Sequence, residues 1–481
     1  MNPFKKVAKN WFVLLFKSLF LGIWSLFITA FMARHLGVTN YGILTFALTF
    51  VSLFAILGNV GIYSLMVREI ARDKSQAQLL IGDALILRFF LSLLTVAIII
   101  AINNFCFSYE RIKNIVLYIA AFSLVFENLS STFTAVFEGF QKMEYDAFTS
   151  FFIAVFQGIL IISVLFIGWG VIGVIWVYLV GSFVDFLLRY FLCNKSLIRP
   201  TLTITSRIFF RIKKMLREAI PFALTAFFVM LLFKMDIIMI SFIKGDAEVG
   251  LYSAATKLVY KLLIIATTLS ISVYPALSEL LVKDKKQANK LFQLAFYVLI
   301  VIGVPIAIGG MVISDKIIHF LFGKQYVYSS SIFKIIIWYV PLCFIASLLA
   351  NSLNAANKQA IVAKVAFSQV LFNLFLNLML IPRFGGVGAA WATVLTETLP
   401  VLVFPFFLRP EFYLNFDRLS SIFLLNALFA FIIRFLRSSY FNLFFLIFAS
   451  VIIYGGLLFS FRVLKIKDIF MIKSLLFKKE N

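Results

Sequence analysis

The sequence predicts an all-α polytopic membrane protein of about 14 transmembrane helices, arranged as two pseudo-symmetric six-helix lobes plus two extra C-terminal helices. Three observations predict it. First, 63% of the 481 residues are hydrophobic and only 14% are charged, with a mean hydropathy of +1.03. That composition lies far outside the range of soluble domains. Second, apolar runs of membrane-spanning length recur along the whole chain, separated mostly by short loops. Third, a Gly-x-x-Gly-x-x-Trp pattern occurs twice, 215 residues apart.

The first six apolar segments run approximately over 12–33, 42–64, 79–102, 115–137, 147–167 and 171–193. The next six cover 219–243, 250–275, 291–313, 329–353, 361–381 and 386–407. The last two cover 420–436 and 441–461; the former is short and ends at Arg434 and Arg437. Lys5, Lys6 and Lys9 precede the first run, which is too long for a signal-peptide core, so it reads as a helix with the N-terminus in the cytoplasm. With that orientation the inner segments hold 27 of the 44 Lys and Arg, and the outer loops, counting Arg434 at the end of segment 13 with them, hold 9. A threefold bias is what the positive-inside rule demands of a correct map. The net charge of +23 is therefore explained by orientation, and no nucleic-acid partner is expected. The basic stretch 194–217 reads as a linker along the cytoplasmic surface.

The repeat fixes the expected organisation. Gly170, Gly173 and Trp176 open segment 6 as GVIGVIWV; Gly385, Gly388 and Trp391 open segment 12 as GGVGAAWA. Gln141-Lys142 and Asn357-Lys358 correspond in the turns before them. Two copies of an even-numbered unit share one orientation, related by an axis along the membrane normal. The expected domains are residues 1–200, an N-terminal six-helix lobe; 201–410, a C-terminal six-helix lobe; and 411–481, two additional helices and a basic cytoplasmic tail. Prolines cluster in the second copy, where helices should bend more.

Composition also excludes chemistry. His35 and His319 are the only histidines, and the three cysteines show no metal or disulfide spacing. No phosphate-cradling Gly-rich loop is present. No cofactor, no metal site and no enzymatic activity are expected.

The informative residues are charges at hydrocarbon depth, each costing roughly 2.5–3.5 kcal/mol at the centre of a helix in lipid. Lys257 and Lys261 share a face of helix 8, one turn apart. Lys17 lies in helix 1 and Lys234 late in helix 7. Lysines around a cavity suit phosphate or pyrophosphate, which a point charge binds and releases; snorkelling or structural pairing are the alternatives. Glu127 in helix 4 stands beside Ser123, Ser130, Ser131 and Thr134 at helical spacing. Glu397 in helix 12 follows Thr393 by one turn, and Asp236 lies two residues from Lys234 on a different face. A mid-membrane carboxylate is a candidate for proton or cation coupling, with a structural hydrogen-bonded pair as the alternative. Asp185 and Arg189, spaced i, i+4, should satisfy each other, and Arg88 could pair with Glu127.

Arg34-His35-Leu36-Gly37-Val38-Thr39-Asn40-Tyr41-Gly42 after helix 1 and Val67-Arg68-Glu69-Ile70-Ala71 after helix 2 are characteristic segments. So are Asp236 followed by Val249-Gly250-Leu251-Tyr252-Ser253-Ala254-Ala255-Thr256-Lys257-Leu258, then Phe320-Leu321-Phe322-Gly323, then Ile381-Pro382-Arg383-Phe384-Gly385-Gly386-Val387-Gly388-Ala389-Ala390. In order and spacing they resemble the polysaccharide (O-antigen type) exporters and flippases of the multidrug/oligosaccharidyl-lipid/polysaccharide superfamily. The resemblance implies two lobes around a cationic cavity lined by helices 1, 2, 7 and 8. It implies translocation of a polyprenyl-pyrophosphate-linked oligosaccharide across the inner (plasma) membrane by alternating access. It further implies Lys17, Lys257 and Lys261 as substrate-binding residues, to which Lys234 is added by its depth in helix 7, and coupling to H+ or Na+, for which Asp236, Glu127 and Glu397 are candidates by their own depth. Membrane lipids and polysaccharide polymerase machinery are the implied partners, and both termini would be cytoplasmic. The alternative is a cation-coupled multidrug exporter of the same superfamily. Such an exporter favours a carboxylate in helix 1, where this chain has Lys17.

Overall fold

The computed structural model describes residues 3–106, 109–199, 208–408, 412, 416–437 and 442–461. The start of the expected second lobe at 201–207 and the basic tail from 462 onward lie outside the described residues. Sixteen α-helices run through the rest, with no strand among the described residues. In lipid a backbone must satisfy its own polar groups, and a helix does this within one segment.

The helices are α1 (Pro3–Asn59), α2 (Ile62–Arg72), α3 (Ala77–Cys106), α4 (Arg111–Gly139), α5 (Met143–Phe166), α6 (Gly170–Ser196), α7 (Ile208–Lys244) and α8 (Asp246–Leu262). Then follow α9 (Ile264–Lys283), α10 (Lys285–Val312), α11 (Ser314–Phe322), α12 (Ser329–Ile336), α13 (Tyr339–Ala355), α14 (Gln359–Leu408), α15 (Phe416–Arg437) and α16 (Leu443–Ser460). Among the described residues, ten helical stretches are long and apolar enough to cross a membrane. Two are double length: 44 residues in α1 and 50 in α14. At 1.5 Å per residue these would reach roughly 65–75 Å, about twice a hydrocarbon core. Each is broken by one glycine, Gly37 (φ 75°) in α1 and Gly385 (φ 58°) in α14, so each makes two passes. Each of the fourteen expected segments is mainly helical over its described residues, with a turn at Val60 and Gly61 breaking expected segment 2 near its end. Expected helix 8 is divided between α8 and α9 at Leu263, and expected helix 10 between α12 and α13. Prolines fall inside α9, α10 and α14. Large apolar side chains such as Ile23, Phe90 and Phe431 stand exposed, as a lipid-facing surface requires.

The backbone repeats where the sequence does. Gly170 (φ 60°) and Gly385 (φ 58°) share the left-handed region. So do Gln141 (φ 56°) and Asn357 (φ 60°), two of only three non-glycine residues with positive φ among the described residues. A third correspondence, not apparent in the motifs, joins Gly37 (φ 75°) to Gly245 (φ 88°). Each is followed five residues later by another glycine, Gly42 and Gly250.

The chain forms two compact units, Met1–Gly250 and Leu251–Asn481. In the first, the apolar face of amphipathic α2 (Ile62, Leu65, Met66, Ile70) packs with Phe133 and Phe137 of α4 and Met215 and Ala219 of α7. The second half of the expected surface linker is thus the start of α7. Arg211 there holds Asp83 of α3 at 2.7 and 2.9 Å. In the second unit Asp284 caps α10, accepting the backbone N–H groups of Lys286 and Gln287. The Gln287 N–H chiefly holds that carboxyl below its usual value.

Candidate functional site

Lys17 is the sequence-predicted cation with the clearest partners. It lies on α1, its side chain one-fifth exposed, and donates to Asp146 in the first turn of α5. Asp146 is buried and also accepts from Arg189 Nη1 of α6 at 2.8 Å. Arg189 is tied down on every side. Its Nε donates to both Asp185 oxygens at 2.8 and 3.0 Å, Nη1 to Thr134 at 2.9 Å and Nη2 to Ser150 at 3.2 Å. Ser130 donates to Asp185 in turn. Four helices therefore converge on one polar network, and the expected Asp185–Arg189 pair is part of it. Glu127 of α4 is exposed, with Ser123 as its hydrogen-bonding neighbour and Asp185 as the nearest interacting charge.

Arg88 does not meet Glu127. Its Nη1 donates to the Asn128 carbonyl at 3.0 Å, Ser131 at 2.7 Å and Thr132 at 2.8 Å, and its Nη2 to Asn59 at 2.8 Å. The guanidinium is fully buried among neutral acceptors, because Arg88 faces the side of α4 that carries Asn128 and Thr132, one position round from Glu127.

A second lysine–carboxylate pair lies about 30 Å along α1 from Lys17, a distance set by the 20 residues between Lys17 and Gly37. Lys113, in the first turn of α4, donates to Asp246 at 2.7 Å and to Ser241 at 3.0 Å. Its ammonium sits 4.0 Å from the ring centroids of both Phe46 and Tyr109. Beside it, α1 and the α7–α8 turn cross at glycines. A Cβ on Gly42 would come within 1.7 Å of the Asp246 carbonyl oxygen; one on Gly250 would come within 2.1 Å of the Val38 carbonyl oxygen. The contact is reciprocal, since Val38 and Asp246 each follow a positive-φ glycine.

The remaining predicted residues occupy α7, α8 and α14. On α7, Asp236 is buried and Lys234 half-buried, two residues apart and so on different faces. On α8, Lys257 is half-buried and Lys261 exposed, and the two ammonium groups repel each other. Lys261 falls in the last turn of α8, where the helix dipole favours a cation. Tyr260 meets Tyr339 edge-on at 6.0 Å. Glu397 of α14 is half-buried, accepts from Gln369 at 3.3 Å and lies close to Tyr339. Near it Asn373 donates to Thr396 at 3.3 Å and Asn377 to Asn373 at 2.9 Å.

Sequence reasoning missed Asp146, Lys113 and Asp246. All three sit in first turns of helices, just outside the apolar segments as drawn. Asp146 precedes segment 5 by one residue and Lys113 precedes segment 4 by two. Helix starts carrying an acid or a base beside a predicted span were the available signal. Among the described residues no group of histidines, cysteines and acids could hold a metal.

Comparison with known proteins places the chain. A family model described as "Polysaccharide biosynthesis protein" matches residues 7–281, and the MatE model matches 221–379. A Haloferax volcanii protein named as a probable low-salt glycan biosynthesis flippase is 25% identical over 228 residues, 46% of this chain and 48% of that protein. The match thus spans about half the length of that relative. A Shigella dysenteriae protein named "Putative O-antigen transporter" is 22% identical over 77% of this chain and 92% of its own. Among solved structures, lipid II flippase MurJ in an inward closed conformation matches with a TM-score of 0.76 at 18% identity, over 93% of this chain and 97% of that one. An inward-facing multidrug resistance MATE transporter of the MOP superfamily matches with 0.61 at 14% identity, over 80% and 93%. The fold is that of these all-α transporters, and with more than half of its length matched by the family model, the chain belongs to the polysaccharide biosynthesis protein family.

Proposed function

We propose that the chain is a flippase for a polyprenyl-pyrophosphate-linked oligosaccharide in cell-surface polysaccharide biosynthesis, working by alternating access in the cytoplasmic membrane, and not an enzyme. The observation that carries this reading is the pair Lys257 and Lys261, two ammonium groups one turn apart in the C-terminal half of α8, whose acidic residues Asp246 and Glu248 lie in its first turn. Two like charges so placed repel, and an anionic ligand with two adjacent phosphates relieves that repulsion. The family, and relatives named as flippases and O-antigen transporters, support it.

In this reading both termini are cytoplasmic, residues 1–200 and 201–410 form the two lobes, and 411–481 are an appendage. Lys17, Lys234, Lys257 and Lys261 contact the headgroup. Glu127, Asp236 and Glu397 are the carboxylates through which H+ or Na+ would couple. The Gly42–Gly250 crossing and the Lys113–Asp246 pair then form the outer closure that must part when the carrier faces outward.

The test is export of surface polysaccharide in cells carrying Lys257→Ala/Lys261→Ala. Export should fall at least about tenfold at unchanged membrane abundance. Undiminished export would sink the reading. A cation-coupled multidrug exporter, the alternative, would instead give a drug-resistance phenotype that depends on a carboxylate.

A further inference from the structure

We infer that a pocket between α1 and α5 receives the pyrophosphate end of the polyprenyl carrier at Lys17, and that Asp146 is the resident anion which this headgroup displaces. The inference rests on the flippase reading. It adds a site and a residue, Asp146, to which that reading gives no role.

The pocket has a volume of about 300 Å³, and Lys17 is its one charged lining residue. Phe16 and Phe20 of α1 and Phe148 and Phe151 of α5 form most of the remainder. Phe16, Phe148 and Phe151 are 64%, 55% and 44% exposed, so the rim is open to an apolar chain arriving from the side. An apolar groove ending at a single ammonium matches an amphiphile whose head is anionic and whose tail is hydrocarbon.

Lys17 is engaged with Asp146, so a ligand must compete for it. Removing one partner of a buried pair ordinarily strands a charge. Here it does not. Asp146 keeps Arg189 at 2.8 Å, and Arg189 is held by Asp185, Thr134 and Ser150 whether or not Lys17 is present. The Lys17 ammonium can therefore turn from one oxyanion to another at small cost. The other charged and titratable neighbours do not replace it as a cation: Glu127 stands near Asp185, and Tyr63, bonded to Glu138, near Asp146 and Arg189. With two cations balancing two carboxylates in the Lys17–Asp146–Arg189–Asp185 set, loss of Lys17 to the ligand leaves the set one negative charge in excess. That excess draws the ammonium back, so binding stays reversible, as a carrier that must release its cargo requires.

The experiment uses the full chain in phosphatidylcholine nanodiscs and farnesyl pyrophosphate as the probe, with farnesol and inorganic pyrophosphate as its two halves. Farnesyl pyrophosphate should bind at least about tenfold more tightly than either half. Asp146→Asn removes the competing charge and should tighten binding about fivefold, whereas Asp146→Glu should match wild type. Lys17→Gln should weaken binding, and adding Asp146→Asn to it should then change nothing. If Asp146→Asn is silent, or acts equally without Lys17, Asp146 is a structural clamp and the inference fails. That result leaves the flippase reading intact as long as Lys257→Ala/Lys261→Ala still abolishes binding. If wild type binds no pyrophosphate amphiphile at all, both fail. If phosphatidylglycerol in the disc competes equally, the pocket is a general acidic-lipid site and the pyrophosphate assignment is overturned. Monodisperse elution of each variant establishes that it is folded.

Discussion

Two lysine–carboxylate pairs among the described residues of the first unit, Lys113–Asp246 and Lys17–Asp146, are built on opposite principles. Lys113 is enclosed: 6% of its side chain is exposed, two aromatic rings flank it, and Asp246 is the carboxylate that it holds. Lys17 is at an edge: 20% of its side chain is exposed, and its partner Asp146 is shared with Arg189. The same two chemical groups thus make a fixed joint at one end of α1 and an exchangeable contact at the other. What differs is whether the carboxylate has a second cation. A buried charge without compensation is costly, and one that keeps a guanidinium is not.

This contrast can be broken by experiment. Lys113→Met should have the largest effect, about 3 kcal/mol of stability by thermal or denaturant unfolding in detergent, because it leaves Asp246 uncompensated beside aromatic rings. Gly42→Ala should follow, at about 2 kcal/mol, since its Cβ would overlap the Asp246 carbonyl. Should α1 and the α7–α8 turn separate during transport, the same change should raise maleimide labelling of a cysteine placed at Val38. Unchanged labelling and stability together would show that the crossing yields without cost. Lys17→Met should cost no more than about 1 kcal/mol, as for a pair whose acid retains a partner. Equal losses for Lys17→Met and Lys113→Met would erase the distinction drawn above.

The smallest effect concerns an exposed control in the second unit. Asp315 of α11 meets Lys334 at 3.0 Å and also Arg437. Partial burial pushes its carboxyl up, but these cations and the Ser330 hydroxyl outweigh that and hold it below its ordinary value of 3.8. A depressed carboxyl contributes stability that is present above its ordinary value and lost as pH falls through the lowered one. Asp315→Asn should therefore lower the melting temperature slightly at neutral pH, and the difference from wild type should start to shrink as pH falls past about 3.8 and vanish only below the lowered value. A difference that persisted at lower pH would mean that packing, not charge, is responsible.

The helices were legible because lipid leaves the chain few choices. A run of some 20 apolar residues has to be helical, and the expected segments are, two of them as successive helices, α8–α9 and α12–α13. The glycine repeat was legible too, and Gly170 and Gly385 show its reason: both adopt a left-handed backbone that a side chain would strain. Gly37 and Gly245 play the same part but were harder to see, since the four residues that separate each from its following glycine, Gly42 or Gly250, share no identity. The site was read only in part. Lys17, Glu127 and the Asp185–Arg189 pair were visible as charges inside apolar runs. Asp146, Lys113 and Asp246 were not, because a charge in the first turn of a helix looks like loop until something is seen to cover it.

Composition and periodicity alone determined that this chain crosses the membrane many times, repeats itself, and keeps charges at depth. Only the tertiary structure decided which charges meet. A lysine on α1 and an aspartate on α5 lie 129 residues apart, and no local pattern registers one helix against another. Side-chain packing between helices does that. It gave Asp146 a second cation and Asp246 an aromatic-walled first one, and so made one pair able to let go and the other not.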